Sequence, residues 1–177
     1  MKQTPSTEEL LRACVCDRDA LEALYNAEKA RVFAFALSLL SDYALAEDAL
    51  QETFIRLPRA ARRFSTDSGG RAFLLEICRR TCRELRRGAR RTGQDEVPED
   101  VASPESPLED VLTVQGLIGA LNDRLRPVVV LHLYHELTFV EIAALLKLPA
   151  STVKSHWKRA LAILRQELRG TYEDLSN

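Results

Sequence analysis

Residues 137–160, LTFVEIAALLKLPASTVKSHWKRA, constrain this chain more than any other stretch, because they hold two helical patterns on either side of one proline. Ile142, Ala143, Leu145 and Leu146 mark the buried side of the first pattern. Leu148-Pro149 ends it, since a proline drives the residue before it out of helical geometry. Ser151 or Thr152 is then placed to cap a second helix. Val153, Trp157, Leu161 and Leu164 recur at helical spacing and define one face. Lys154, Ser155, Lys158 and Arg159 fall on the others. A short helix, a tight turn and a basic second helix is the layout of a helix-turn-helix, whose second helix enters the DNA major groove.

The rest of the chain also reads as helical. With 7 Gly and 7 Pro in 177 residues, turns are sparse, and 46% hydrophobic content supplies real cores. No run reaches the roughly 18–20 apolar residues a bilayer span needs, and the polar N-terminus MKQTPSTEE lacks a signal-peptide core. The expectation is a cytoplasmic protein without membrane insertion. Helices are expected over 7–40, Ala44 to about Leu57, and Arg71 to about Arg91, with Phe64-Ser-Thr-Asp-Ser-Gly-Gly70 as a loop. Residues 92–107 hold three prolines, serines and acids, which predicts a flexible acidic linker. Beyond it, helices are expected from about Leu108 to Leu121 and from about Asp123 to His135. The fold class is therefore all-α: two small helical domains, 1–91 and 108–177, joined by the linker 92–107.

A net charge of −1 conceals strong segregation. Residues 56–91 carry 12 arginines and no lysine against Asp67, Glu76 and Glu84, while residues 92–113 carry 7 acids and no base. Dense arginine is a footprint for phosphate, which the guanidinium grips bidentately. The plainer reading is a solvated helix face. Cys14, Cys16, Cys78 and Cys82 do not follow a zinc-knuckle spacing and are expected to be reduced, small core residues, so no metal is assigned. His132 and His135 are three apart, and packing is expected there rather than metal binding. No catalytic constellation and no cofactor site is assigned.

Ala46-Glu-Asp-Ala-Leu-Gln-Glu-Thr-Phe54 resembles region 2.2 of bacterial sigma factors of the extracytoplasmic-function (ECF) group. Residues 64–87 resemble regions 2.3 and 2.4, and residues 120–168 resemble region 4. The motifs stand in the family's order and cover about residues 8–91 and 108–168. The resemblance implies an alternative sigma factor, not an enzyme, that binds core RNA polymerase through the β′ clamp helices and the β flap, recognises and melts promoter DNA, and is held by an anti-sigma factor. It implies that Asp48, Gln51, Glu52 and Phe54 meet the polymerase. It implies that Asp67, Ser68, Arg71, Arg79, Arg80 and Arg83 hold the melted −10 strand. It implies that Ser151, Thr152, Lys154, Ser155, His156 and Arg159 face the −35 element. Trp157 is expected in the core.

The chain departs from the family pattern at six places. Phe73 stands where Trp is usual, Arg80 where Asn is, and Glu84 where Asp is. Glu136 and Lys147 replace glycines, and Pro58 sits at a position often aromatic, where it is expected to shorten the region 2.2 helix. Three other readings compete. A LuxR-type regulator shares the recognition-helix pattern but needs a receiver domain that residues 1–91 do not resemble. A sigma-like decoy for an anti-sigma factor would not need the arginines. A metal- or redox-sensing protein rests on the four cysteines alone.

Overall fold

The computed structural model describes residues 5–65, 69–91 and 118–174. The chain forms two compact units, residues 1–98 and 99–177. Among the described residues every regular element is helical. None is long and apolar enough to cross a membrane.

The first unit holds four helices: α1 (Thr7–Ala13), α2 (Arg18–Leu40), α3 (Tyr43–Ala61) and α4 (Gly70–Arg91). Side chains start three of them. Ser6 and Glu9 form a reciprocal capping box on α1, Asp17 caps α2, and Asp42 accepts the Leu45 amide at 2.9 Å to cap α3. Helices α2, α3 and α4 pack pairwise, and α1 lies against all three. Leu24, Val32, Phe35, Leu57, Leu74 and Leu75 form the centre of the core. Thr53 and Ser38 are buried without cost to the helices because their hydroxyls bond Ala49 O and Phe35 O within the same helix.

Cys14, Cys78 and Cys82 are buried and Cys16 is exposed, all as free thiols. The sulfurs of Cys78 and Cys82 lie 3.9 Å apart. Their shared S–H···S contact, with burial, pushes the Cys78 thiol well above its ordinary range. A thiol in that state is a packing group rather than a nucleophile.

One buried carboxylate ties the unit together. Glu28 on α2 accepts the Thr7 hydroxyl of α1 at 2.8 Å and lies 3.6 Å from Arg71 Nε of α4. Nearby, the Gly70 amide donates to Glu8. A Cβ at Gly70 would sit 2.9 Å from Glu8 Cγ and 3.0 Å from Leu11 Cδ1, so α1 closes on the start of α4 only because residue 70 is glycine.

Two expectations fail in this unit and one cannot be followed. Pro58 does not shorten α3, which runs on to Ala61. Buried Leu57 and Ala61 on either side hold the last turn against the core, where one lost N–H is tolerated. Gly70 belongs to α4 and not to the loop. Residues 92–107, expected as the linker, lie outside the described residues.

The second unit contains α5 (Arg126–Val129), which widens into a π-helical turn at Val130–Tyr134, then α6 (Phe139–Leu146) and α7 (Ala150–Asp174). Of the helix expected over 108–121, residues 108–117 lie outside the described residues. The helix expected from Asp123 starts late. Asn122 Oδ1 accepts the Arg124 and Leu125 amides and fixes a turn first. Arg126 then reaches back to the carbonyls of Ile118 and Leu121. Leu121, Leu125, Val129 and Ala160 form a core cluster with Trp157, Ile163 and Leu164 packed on it.

Neither Ser151 nor Thr152 caps α7. The helix begins at Ala150, and the Pro149 carbonyl accepts the amides of Thr152 and Val153. Glu136 and Lys147, the two positions where the family carries glycine, have φ of 58° and 57°. They adopt the left-handed geometry that glycine takes without penalty, and each bears a side chain in it.

Candidate polymerase and nucleic-acid interfaces

The outer edge of α3 is polar with an apolar centre. Asp48 and Gln51 are exposed, and half-buried Glu52 accepts Arg56 Nε at 2.6 Å. Ile55, one turn on, is 71% exposed. Phe54 points the other way. It is 6% exposed and meets Tyr25 edge-on, with ring centroids 5.0 Å apart. The surface offered to a partner is therefore Asp48, Gln51, Glu52 and Ile55, with Phe54 setting the helix on its base. The sequence reading overlooked Ile55, although its three-residue step from Glu52 was a usable signal.

A groove runs between the C-terminal half of α3 and the start of α4. Ile55, Ala60, Phe73 and Ile77 supply its apolar lining, and Arg56, Arg59, Arg62, Arg63 and Arg80 its cations. Arg59, Arg62 and Arg63 are exposed. Phe64 lies against Phe73 with centroids 5.1 Å apart, so an aromatic pair stands where the family has Trp. An arginine-lined groove with aromatic and aliphatic surface fits a single nucleic-acid strand, whose bases stack while its phosphates meet cations. Arg56, Arg59, Arg62 and Arg63 were counted in the arginine block but not singled out. Their spacing of three, three and one is that of one helical side, although α3 ends at Ala61 and Arg62 and Arg63 follow in its closing turn.

The arginines named from the sequence divide into two kinds. Arg80 lines the groove and Arg83 is exposed. Arg71 turns toward buried Glu28. Arg79 is 7% exposed, and its fork holds Glu76 through Nε–Oε2 at 2.8 Å and Nη2–Oε1 at 3.0 Å. Arg80 Nε adds a third bond to Glu76 Oε1 at 2.9 Å. Burial raises the Glu76 carboxyl, but the hydrogen bonds from Arg79 and Arg80 outweigh it and hold the group below the ordinary carboxylate range. Arg56 also bridges helices, bonding Glu84 of α4 as well as Glu52. Asp67 and Ser68 lie outside the described residues.

In the second unit the helix-turn-helix comprises α6 and α7. Thr138 and Glu141 form a capping box on α6, and Lys147 in left-handed geometry closes it. Its hydrogen bonds from the Thr138 side chain and amide hold the Glu141 carboxyl below its ordinary range. On α7, Val153 and Ala160 are buried, while Ser151, Lys154, Ser155, Lys158 and Arg159 are exposed. Thr152 and His156 are half-buried, and His156 Nδ1 is shielded from solvent. Trp157 belongs to the core. Its ring meets His132 at 4.6 Å, and His132 meets Phe139 at 4.6 Å. His132 Nδ1 lies 2.8 Å from the Leu137 carbonyl, which fixes the hydrogen on that nitrogen. The three rings pin the π-helical turn to both helices of the motif, and His135 is buried beside them in sequence.

Comparison with known proteins decides the family. The model of Sigma-70 region 2 matches residues 24–92, and that of Sigma-70, region 4 matches residues 117–166. The ECF RNA polymerase sigma factor SigC of Mycobacterium tuberculosis is 33% identical over 147 residues, covering 80% of this chain and 79% of the relative. SigK of Mycobacterium tuberculosis is 29% identical over 168 residues, covering 88% and 89%. The chain belongs to the ECF group of the sigma-70 family.

It is an alternative sigma factor that acts in transcription initiation. Two solved structures share the fold. The sigma factor RpoE of Bartonella quintana, determined with the anti-sigma factor NepR, has a TM-score of 0.70 at 23% identity over 84% of this chain and 96% of its own. CnrH, determined with the cytosolic domain of CnrY, has a TM-score of 0.64 at 23% identity over 93% and 99%. The region 2 match of this sigma factor begins within α2 and takes in α3 and α4. Its region 4 match takes in α5, the π-helical turn, α6 and most of α7.

Proposed function

We propose that the two units divide promoter recognition between them. The first, residues 1–91, binds core RNA polymerase through Asp48, Gln51, Glu52 and Ile55 and holds the melted −10 strand in the α3–α4 groove. The second, residues 108–177, sets α7 in the major groove of the −35 element, with Ser151, Lys154, Ser155 and Arg159 on the DNA face and Thr152 and His156 at its edge. Residues 92–107 link them in sequence. The protein works in the cytoplasm and is not itself an enzyme, since the polymerase supplies the chemistry.

The observation that carries this reading is the groove. Five arginines line it together with apolar and aromatic surface, four of them on or just after the helix that carries the polymerase-facing edge and Arg80 on the next. In that setting Arg80 and Arg83 are the strand contacts, Arg59, Arg62 and Arg63 join them, and Arg71 and Arg79 hold the walls in place. Asp67 and Ser68, which precede α4 in sequence, are assigned to the same strand contact. An anti-sigma factor occludes these faces until initiation is required; the structurally similar RpoE of Bartonella quintana is in complex with one, NepR, and CnrH with the cytosolic domain of CnrY.

Run-off transcription with core polymerase on a promoter library tests the proposal. Addition of this protein is expected to yield transcripts from promoters that share −35 and −10 elements at fixed spacing. Transcripts that do not depend on the protein, or no transcripts at all, would overturn it.

A further inference from the structure

Within the arginine groove of the first unit stands one carboxylate, Glu76, among the described lining residues. A carboxylate there opposes phosphate binding, so its presence calls for another account. Aiming Arg79 and Arg80 accounts for part of it, but not for an acceptor position of its own left facing the groove.

The carboxylate is held in one orientation. Buried Arg79 grips both oxygens, and Arg80 adds a bond to Oε1. A carboxylate offers about four acceptor positions, two per oxygen. The three bonds fill Oε1 and half of Oε2. One acceptor position remains, on Oε2, and the side chain is 26% exposed on the groove side of the helix. Phe73 and Ile77, three residues before and one after, supply stacking surface on the same stripe of α4.

We infer that Glu76 is a specificity-determining residue, with Oε2 accepting the exocyclic amine of a cytosine or adenine in the melted strand, and with Arg79 as its positioning residue. This rests on the reading of the groove as the strand site. An unpaired cytosine presents N4–H2 and an adenine N6–H2 on the exposed Watson–Crick edge. Thymine offers only an N3–H flanked by two carbonyls, which a carboxylate repels. Arg80 has donors left beyond its bond to Glu76, and they suit the neighbouring ring nitrogen of an amino base.

The test uses holoenzyme and bubble templates randomised across the melted positions, followed by sequencing of the bound fraction. Wild-type holoenzyme is expected to favour cytosine or adenine over thymine at one position, by about tenfold for one well-placed hydrogen bond. In Glu76→Gln the amide oxygen takes the Oε1 place, where Arg79 Nη2 and Arg80 Nε donate, and the NH2 takes the Oε2 place, gives up the Arg79 Nε bond and faces the strand. The preference at that position should then fall away or turn toward carbonyl bases, while the other positions keep theirs. An unchanged preference in Glu76→Gln overturns the inference and leaves the strand reading standing. Failure of wild-type holoenzyme to hold any bubble template overturns both.

Base analogues supply the second arm and need no variant. Pyrimidin-2-one in place of cytosine, or purine in place of adenine, removes the amine alone. Loss of the tenfold preference on wild-type holoenzyme supports the assignment, and its retention overturns it.

Discussion

The α3–α4 pair and helix α7 hold their cationic side chains differently, although Arg126 of the second unit also lies 3.5 Å from a carboxylate, Asp123. In the first, Arg56, Arg71, Arg79 and Arg80 are each tied to a carboxylate: Glu52 and Glu84, Glu28, and Glu76 for the last two. In the second, Lys154, Lys158 and Arg159 stand exposed on α7 with no carboxylate among the described residues in bridging distance. On the proposed division of labour, the difference suits two forms of DNA. A melted strand has no fixed shape, so its site must supply one, and arginine forks aimed by carboxylates do that. A duplex brings its own geometry, and mobile cations on a docked helix adapt to its phosphates.

The largest effect should come from the untied cations of the groove. Replacing Arg59, Arg62 and Arg63 together with Ala is expected to weaken holoenzyme binding to a pre-melted template by about 100-fold. Each lost phosphate contact flattens the salt dependence of single-strand binding by about 0.7 in log–log slope. Binding titrations across salt concentrations check both. A variant with an unchanged slope would place the strand elsewhere.

In the second unit, Lys154→Ala and Arg159→Ala should each cost about 1–3 kcal/mol where the side chain reads a base, with relaxed preference at one base pair. Where it meets phosphate, all duplex sequences weaken alike. Affinity for a panel of −35 variants separates the two cases, and no change on any duplex would remove α7 from the interface.

Arg79→Lys tests whether tied cations act through structure. Loss of the fork to Glu76 should destabilise the first unit by about 1–3 kcal/mol, a typical figure for charge-assisted hydrogen bonds at a shielded site. The salt slope of strand binding should stay as in the wild type. Acid acts on the same pair. The Glu76 carboxyl titrates below its unfolded value, so its contribution is present above the ordinary carboxylate range and is lost as the pH falls through it. Thermal melts at neutral and acidic pH should show the wild type losing stability that Glu76→Gln has already lost.

The smallest effects concern the turns of the second unit. Glu136→Gly and Lys147→Gly should each stabilise it by about 0.5–1 kcal/mol, because the left-handed backbone penalises a side chain. Denaturant titration measures the gain. A loss at either position would mean that the side chain contributes more than its strain.

Much of this was legible in the residues, and what was missed has local causes. Apolar periodicity located α2, α3, α4, α6 and α7 because each buries one face. It said nothing of the π-helical turn, since Val130, Leu131 and His135 satisfy a helical pattern whether the turn is regular or widened. Ser151 and Thr152 look like caps, but the Pro149 carbonyl had already begun α7. Composition marked the arginine block as a phosphate site. It did not separate Arg79, buried on Glu76, from Arg59, Arg62 and Arg63, because exposure depends on where α3 and α4 meet. Phe54 and Ile55 are neighbours in the same motif, and only packing against Tyr25 shows which one faces inward.

The central claim is that the groove holds melted DNA while α7 holds duplex. Permanganate reactivity of promoter thymines, read alongside the upstream footprint in the same holoenzyme complexes, tests it most directly. The Arg59/Arg62/Arg63→Ala variant should keep the −35 footprint and lose thymine reactivity near the start site. Wild-type reactivity in that variant, with the protein folded and bound to core polymerase, would contradict the account.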